Sequence, residues 1–161
     1  MSEASGHLYL IALGSNMRVP GVGSPRAVLL RAVAAMAELG LEVTALSRLT
    51  ETEPVGPALR RYVNGAAVGE SELAPLQLLG VLHSIELAFG RRRRGQRWRS
   101  RTLDLDIVLW SGGIWVSPDL AIPHPRFRER AFVLGPAAQV APDWRDPVSG
   151  LTLRQLCARV A

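Results

Sequence analysis

The chain has 161 residues, 48% of them apolar and 20% charged, which suits one domain with a full hydrophobic core and excludes a disordered chain. No run approaches the roughly 20 consecutive apolar residues of a membrane span, and the polar start at residues 1–6 does not read as a secretory leader. The net charge is +5 and every basic residue is Arg; seven of the 19 (Arg91, Arg92, Arg93, Arg94, Arg97, Arg99 and Arg101) crowd into residues 91–101, leaving the rest of the chain net −2. One cationic loop suits capture of a compact polyanion better than it suits a nucleic-acid surface, which spreads its charge along a face. The only cysteine, Cys157, excludes an internal disulfide and a cysteine metal site. These features predict a single cytoplasmic domain over residues 1–161, without membrane or nucleic-acid partners.

In chain order, residues 7–13 read as a buried strand stopped by Gly14-Ser15-Asn16. Ser24 is an expected N-cap with Pro25 at the first helical position; Leu29, Val33, Met36 and Leu39 recur at helical spacing, and Gly40 closes the helix. A second strand is expected over 41–50, a loop over 51–61 and a third strand over 62–71. Pro75 opens a second helix with Leu78, Leu82, Ile85 and Phe89 on one stripe, and Gly90 ends it before the arginine loop. Residues 102–110 are a fourth strand. The order β-α-β-β-α-β predicts an α+β, ferredoxin-like domain, an antiparallel sheet with these helices on one face. Beyond it come a Gly112-Gly113 turn with a short edge strand or hairpin, a Pro- and Arg-rich segment, and C-terminal helices, the last from about Thr152.

Chemistry concentrates in Arg-Thr-Leu-Asp-Leu-Asp at 101–106. Side chains alternate along a strand, so Asp104 and Asp106 share one face and stand ~7 Å apart, close enough to bracket a hard, oxygen-seeking cation such as Mg²⁺. Taken alone, such a pair also describes the wet side of an ordinary strand. Directly after seven arginines, it is what metal-plus-phosphate binding requires, with Arg101 the best placed to reach a metal-bound phosphate. Trp98 within the charged loop suggests stacking on a planar ring. Tyr62 and Asn64 share a strand face, and His83 and Glu86 share a helix face, each a plausible way to hold a heterocycle or an ordinary packing pair. His124, Arg130 and Phe132 are individually weak signals. The mostly aliphatic strands and the two acids argue against an RNA-binding module of the same fold.

Gly14-Ser15-Asn16, Thr52-Glu53-Pro54-Val55-Gly56-Pro57, Tyr62-Val63-Asn64, Glu86, Gly90-Arg91, Arg97-Trp98, the 101–106 block, Pro123-His124, Arg130 and Phe132 occur in one order and spacing. Together they resemble the 6-hydroxymethyl-7,8-dihydropterin pyrophosphokinases of folate biosynthesis, over about residues 8–160. The resemblance implies transfer of the β,γ-pyrophosphoryl unit of ATP to the pterin hydroxymethyl oxygen, with release of AMP, by a monomer. It implies that Asp104 and Asp106 bind two Mg²⁺ ions and that Arg91 and Arg101 are catalytic-loop arginines. It places His83, Glu86, Arg93, Trp98, Arg101, Ile107, His124 and Arg130 against ATP. The dihydropterin would lie between Tyr62 and Phe132, with Thr52, Val55, Asn64 and Asp104 around it and Trp98 closing over it. Position 125 is Pro, where some relatives place an aromatic near the nucleotide.

Overall fold

A computed structural model describes residues 6–16, 18–52, 62–90 and 103–161. Its framework is a β-α-β-β-β-α-β series: β1 (His7–Ser15), α1 (Pro25–Glu38), β2 (Glu42–Leu46), β3 (Thr50–Thr52), β4 (Tyr62–Ser71), α2 (Pro75–Ala88) and β5 (Asp104–Trp110). The strands run β2-β4-β1-β5 across one antiparallel sheet, with β3 also paired to β4. This is the expected ferredoxin-like arrangement, with its outer strand in two pieces.

The single strand expected over 41–50 breaks at Ser47-Arg48-Leu49. Ser47 continues the pairing with β4 through its own backbone and its hydroxyl, which accepts from the Ala66 N–H at 2.9 Å and donates to the Arg48 carbonyl at 2.8 Å. Leu49 then folds onto β4 at Gly65, where a Cβ would stand 2.6 Å from the leucine Cδ2. A larger residue there would require the Leu49 side chain to move.

Helix α1 begins as its sequence implies, with the Ser24 hydroxyl accepting from Ala27 N–H and Pro25 in the first turn. Its buried stripe is Val28, Leu29, Ala32 and Met36; Leu39 of the expected stripe is exposed, because the helix stops at Glu38 and Gly40 turns the chain at a φ of 112°. These residues join Leu78, Leu82 and Ile85 of α2 and the odd-numbered strand residues Tyr9, Ile11, Leu13, Leu105 and Ile107 in one apolar core. The Tyr9 hydroxyl donates to the Leu73 carbonyl at 2.6 Å, and burial pushes its pKa up to about 12.

The opposite sheet face has its own cover. After a hairpin of β6 (Trp115–Ser117) and β7 (Leu120–Ile122) and a 3₁₀ turn at Phe127–Glu129, helices α3 (Ala131–Val140) and α4 (Leu153–Val160) lay Val133, Leu134, Ala137, Leu153 and Leu156 on Leu10, Ala66, Val108 and Leu109. The two helices of the β-α-β-β-α-β unit therefore share one face, as expected, and the C-terminal pair shields part of the other. Helix α4 starts on a reciprocal cap, Thr152 and Gln155 each bonding the other's backbone N–H. The buried Asp146 fastens the segment between α3 and α4. It takes Arg128 in a two-pronged pair at 2.6 and 2.7 Å, and also the Ser149 hydroxyl and the Val148 N–H. Burial alone would raise the Asp146 pKa, but Arg128, Ser149 and Val148 together hold it well below the usual carboxylate range.

One irregularity sets which residues of β5 face which way. Leu10 pairs with Leu109 but Ile11 pairs with Ile107, so Val108 is surplus in β5. The result is a β-bulge, with Val108 and Leu109 both in the core under α3 and α4.

Candidate active site

Below the bulge, β5 keeps strict alternation. Leu105 and Ile107 are buried toward α1 and α2, while Asp104 is half-buried and Asp106 exposed on the other face. Gly14 pairs with Asp104 on one side and with Asn64 on the other. A Cβ on Gly14 would lie 3.1 Å from Asn64 Oδ1 and 3.9 Å from the Tyr62 ring, so the glycine leaves a bare floor between amide and carboxylate. Asn64 is buried, and its Nδ2 donates to Thr52 Oγ1 at 3.1 Å across the β3–β4 pair. Thr52, Tyr62, Asn64, Gly14, Asp104 and Asp106 thus occupy one stretch of sheet face across four strands. Thr52 and Phe132, at the start of α3, line one cleft together. Arg130 is the N-cap residue of that helix, and its guanidinium carbon stands 5.6 Å from the centre of the Phe132 ring.

A second cleft, about 360 Å³, opens at the outer edge of β5, between α2 and the β6–β7 hairpin. It brings together Asp106 with four residues expected to meet a nucleotide: His83, Glu86, Ile107 and His124. Glu86 is only 3% exposed, and its Oε2 accepts the Leu105 N–H at 2.8 Å. Because β5 is the sheet's edge strand, this bond satisfies a backbone donor between the two aspartates.

His124 is tied in at both ends. Its backbone N–H donates to the Val108 carbonyl at 3.1 Å, and its Nδ1 accepts the Arg126 N–H at 3.2 Å. Burial, first, lowers its pKa from the ordinary histidine value; Asp106 pulls it up, and Arg130 and Arg126 push it down. The neutral ring must carry its proton on Nε2, so that nitrogen remains a hydrogen-bond donor at neutral pH.

The donor set of Asp104 and Asp106 is oxygen only and carries two negative charges on one strand face. That fits a hard divalent cation whose remaining positions are water and phosphate oxygen, and among the described residues no cluster of three His, Cys, Asp or Glu offers a self-sufficient metal cage. Val55, Arg91, Arg93, Trp98 and Arg101 lie outside the described residues. Sequence reasoning missed Ser117 and Asp119 of the hairpin, which wall the second cleft, and helix α3 as the carrier of Phe132. The Pro118-Asp119 turn was a usable signal for the hairpin; the Gly135-Pro136 pair disguised the helix.

The sequence matches the family model of 7,8-dihydro-6-hydroxymethylpterin-pyrophosphokinase (HPPK) over residues 10–142. A Pseudomonas aeruginosa protein named 2-amino-4-hydroxy-6-hydroxymethyldihydropteridine pyrophosphokinase is 43% identical over 150 residues, covering 92% of this chain and 88% of its own length. A protein of the same name from Synechocystis is 38% identical over 155 residues, covering 96% of this chain and 76% of its own. Among solved structures, wild-type Plasmodium falciparum HPPK-DHPS with pteroate superposes at a TM-score of 0.71 with 14% identity, a likeness of fold. It covers 98% of this chain, which spans 45% of that longer one.

Proposed function

The chain belongs to the 7,8-dihydro-6-hydroxymethylpterin-pyrophosphokinase family, enzymes of folate biosynthesis that transfer a pyrophosphoryl group, and from that premise we propose its substrates, metal and products. The reaction is transfer of the β,γ-pyrophosphoryl unit of ATP to the hydroxymethyl oxygen of 6-hydroxymethyl-7,8-dihydropterin, giving AMP and the pterin diphosphate. One observation carries the reading. A single sheet face holds Thr52, Asn64 and the bare floor at Gly14 next to Asp104, with Asp106 turning the corner into the cleft of His83, Glu86, Ile107 and His124. Heterocycle and nucleotide candidates therefore meet at the acid pair.

In this reading Asp104 and Asp106 hold two Mg²⁺ ions, which supply charge neutralisation on the phosphates and Lewis acidity when bound. Asn64 and Thr52 present an amide and a hydroxyl to the pterin edge, and Tyr62 and Phe132 flank its ring. His124 donates from Nε2 to the nucleotide without itself needing to be charged. Arg130, packed on Phe132, links the two halves of the site. Catalysis is then mainly positioning and electrostatic stabilisation. The parts of Arg91, Arg93, Trp98, Arg101 and Val55 rest on the sequence resemblance alone. Among the described residues no helix is long and apolar enough to cross a membrane, and the reading includes action as a cytoplasmic monomer.

Product analysis tests the proposal. The chain with ATP, Mg²⁺ and the dihydropterin should yield AMP and pterin diphosphate in equal amounts, and Asp106→Ala should slow this on the order of a thousandfold without unfolding the protein. ADP with a pterin monophosphate would overturn the two-phosphate assignment. An Asp106→Ala enzyme as fast as the parent would overturn the metal site.

A further inference from the structure

At the sheet edge opposite β5, the cleft beyond Phe132 runs on between β3 and α3, to a total of about 450 Å³. Its walls are Thr50 and Thr52 on the strand and Phe132, Gly135 and Pro136 on the helix. Nothing lies within 4 Å of where a Cβ on Gly135 would stand, so the helix offers backbone and ring surface where most residues would fill the gap. The slot is an open, largely apolar cleft with room for an aromatic ring.

One end of this slot is polar and rich in donors. Gln139 Oε1 accepts the Arg48 backbone N–H at 2.5 Å, which fixes the orientation of the amide and leaves both its N–H groups to offer. The Arg48 side chain is exposed and has no acidic partner among the described residues. Guanidinium and amide therefore both present donors at the mouth of a flat apolar slot. That combination recognises a ring bearing an anionic acceptor.

We propose that this slot is a second small-molecule site, selective for an aryl carboxylate. The ring lies between Thr50 and the Gly135-Pro136 surface, and the carboxylate meets the Arg48 fork and the Gln139 amide. No bond is made or broken. The site uses neither the aspartates nor the nucleotide cleft and adjoins the proposed pterin position through Thr52 and Phe132; it goes beyond the pyrophosphoryl-transfer reading and does not depend on it.

The test uses the full chain without nucleotide, metal or pterin, titrated with 2-naphthoate and with its neutral isostere 2-naphthamide while the Gly135 and Gln139 amide signals are followed by NMR. Naphthoate should move both signals and bind about tenfold more tightly than naphthamide. Arg48→Ala should shrink that preference to within about twofold while leaving the link to Gln139, which uses the Arg48 backbone. Gly135→Leu should block both ligands; the change favours helix and its Cβ meets no neighbour, and Thr50→Leu fills the slot from the strand should the first variant fold poorly. Equal binding of acid and amide, signal changes confined to another part of the molecule, or binding that survives both filling variants would overturn the proposal. These outcomes are read from binding alone, and loss of the transfer reaction in Asp106→Ala would leave this binding unchanged.

Discussion

The two faces of the central sheet carry different loads. Toward α1 and α2 the strands present Ile11, Leu13, Leu105 and Ile107, and the helices cover them completely. Toward α3 and α4, among the described residues, the covered end bears Leu10, Ala66, Val108 and Leu109, while the end bearing Asn64, Gly14 and Asp104 is the proposed ligand site. In that reading one face supplies stability and half of the other supplies chemistry. Substitutions on the two should separate accordingly, losing folding free energy on the first and activity on the second.

The sharpest exception to look for is Asp146, which is polar, buried and remote from the aspartate pair in sequence. Asp146→Asn leaves the Arg128 guanidinium uncompensated and should cost about 3 kcal/mol or slightly more, measured by denaturant unfolding. Since the folded carboxyl is held below its unfolded value of about 3.9, its contribution is complete above that pH and drains away as the solution is acidified toward the folded value. The parent should therefore lose stability on acidification below about pH 4 more steeply than Asp146→Asn does. Equal slopes would mean that other carboxylates dominate acid unfolding.

Leu29→Ala, in the closed core, should cost about 3 kcal/mol while the folded fraction keeps its KM values. A changed KM would show that the closed face also shapes the site. Glu86→Ala removes the acceptor for the Leu105 N–H and should cost about 2 kcal/mol and raise KM for ATP. Glu86→Gln, which keeps an acceptor, should restore most of the stability, giving a direct separation of strand anchoring from nucleotide contact. Smallest in stability is Phe132→Ala. The residue is 44% exposed, so unfolding should change by less than about 1 kcal/mol while KM for the dihydropterin rises about tenfold. A large loss of stability would place Phe132 with the core instead.

Local signals were legible wherever the deciding contacts are local. The bounds of β4, the Ser24 and Thr152 caps and the shared face of Asp104 and Asp106 follow from alternation and capping chemistry within a few residues. The break at residues 47–49 was not legible, because it depends on Gly65 admitting Leu49 from another strand. Helix α3 was hidden by Gly135 and Pro136. Pro136 sits only five residues into the helix, where it forfeits a single bond, and its ring is buried. The family motifs named Gly14 and Asn64 without giving a reason; the register supplies one, since Gly14 stands between Asn64 and Asp104. Gln139 and Arg48 carried no signal at all, as their hydrogen bond spans 91 positions.

The surplus Val108 acts as a phase shifter. Above it, Trp110 lies opposite Tyr9; below it, Asp106 lies opposite Ala12, and the alternation on β5 has been reset by one step. Were Val108 paired regularly instead of bulged, with Trp110 kept against Tyr9, Asp104 and Asp106 would rotate into the oily layer under α2, and Leu105 and Ile107 would turn out to water. The same residue's carbonyl holds the His124 N–H, so its loss would also unmoor the imidazole from the nucleotide cleft. The bulge, as much as residue type, is what delivers the acids to the open side, and deleting Val108 should leave them there while costing the His124 anchor.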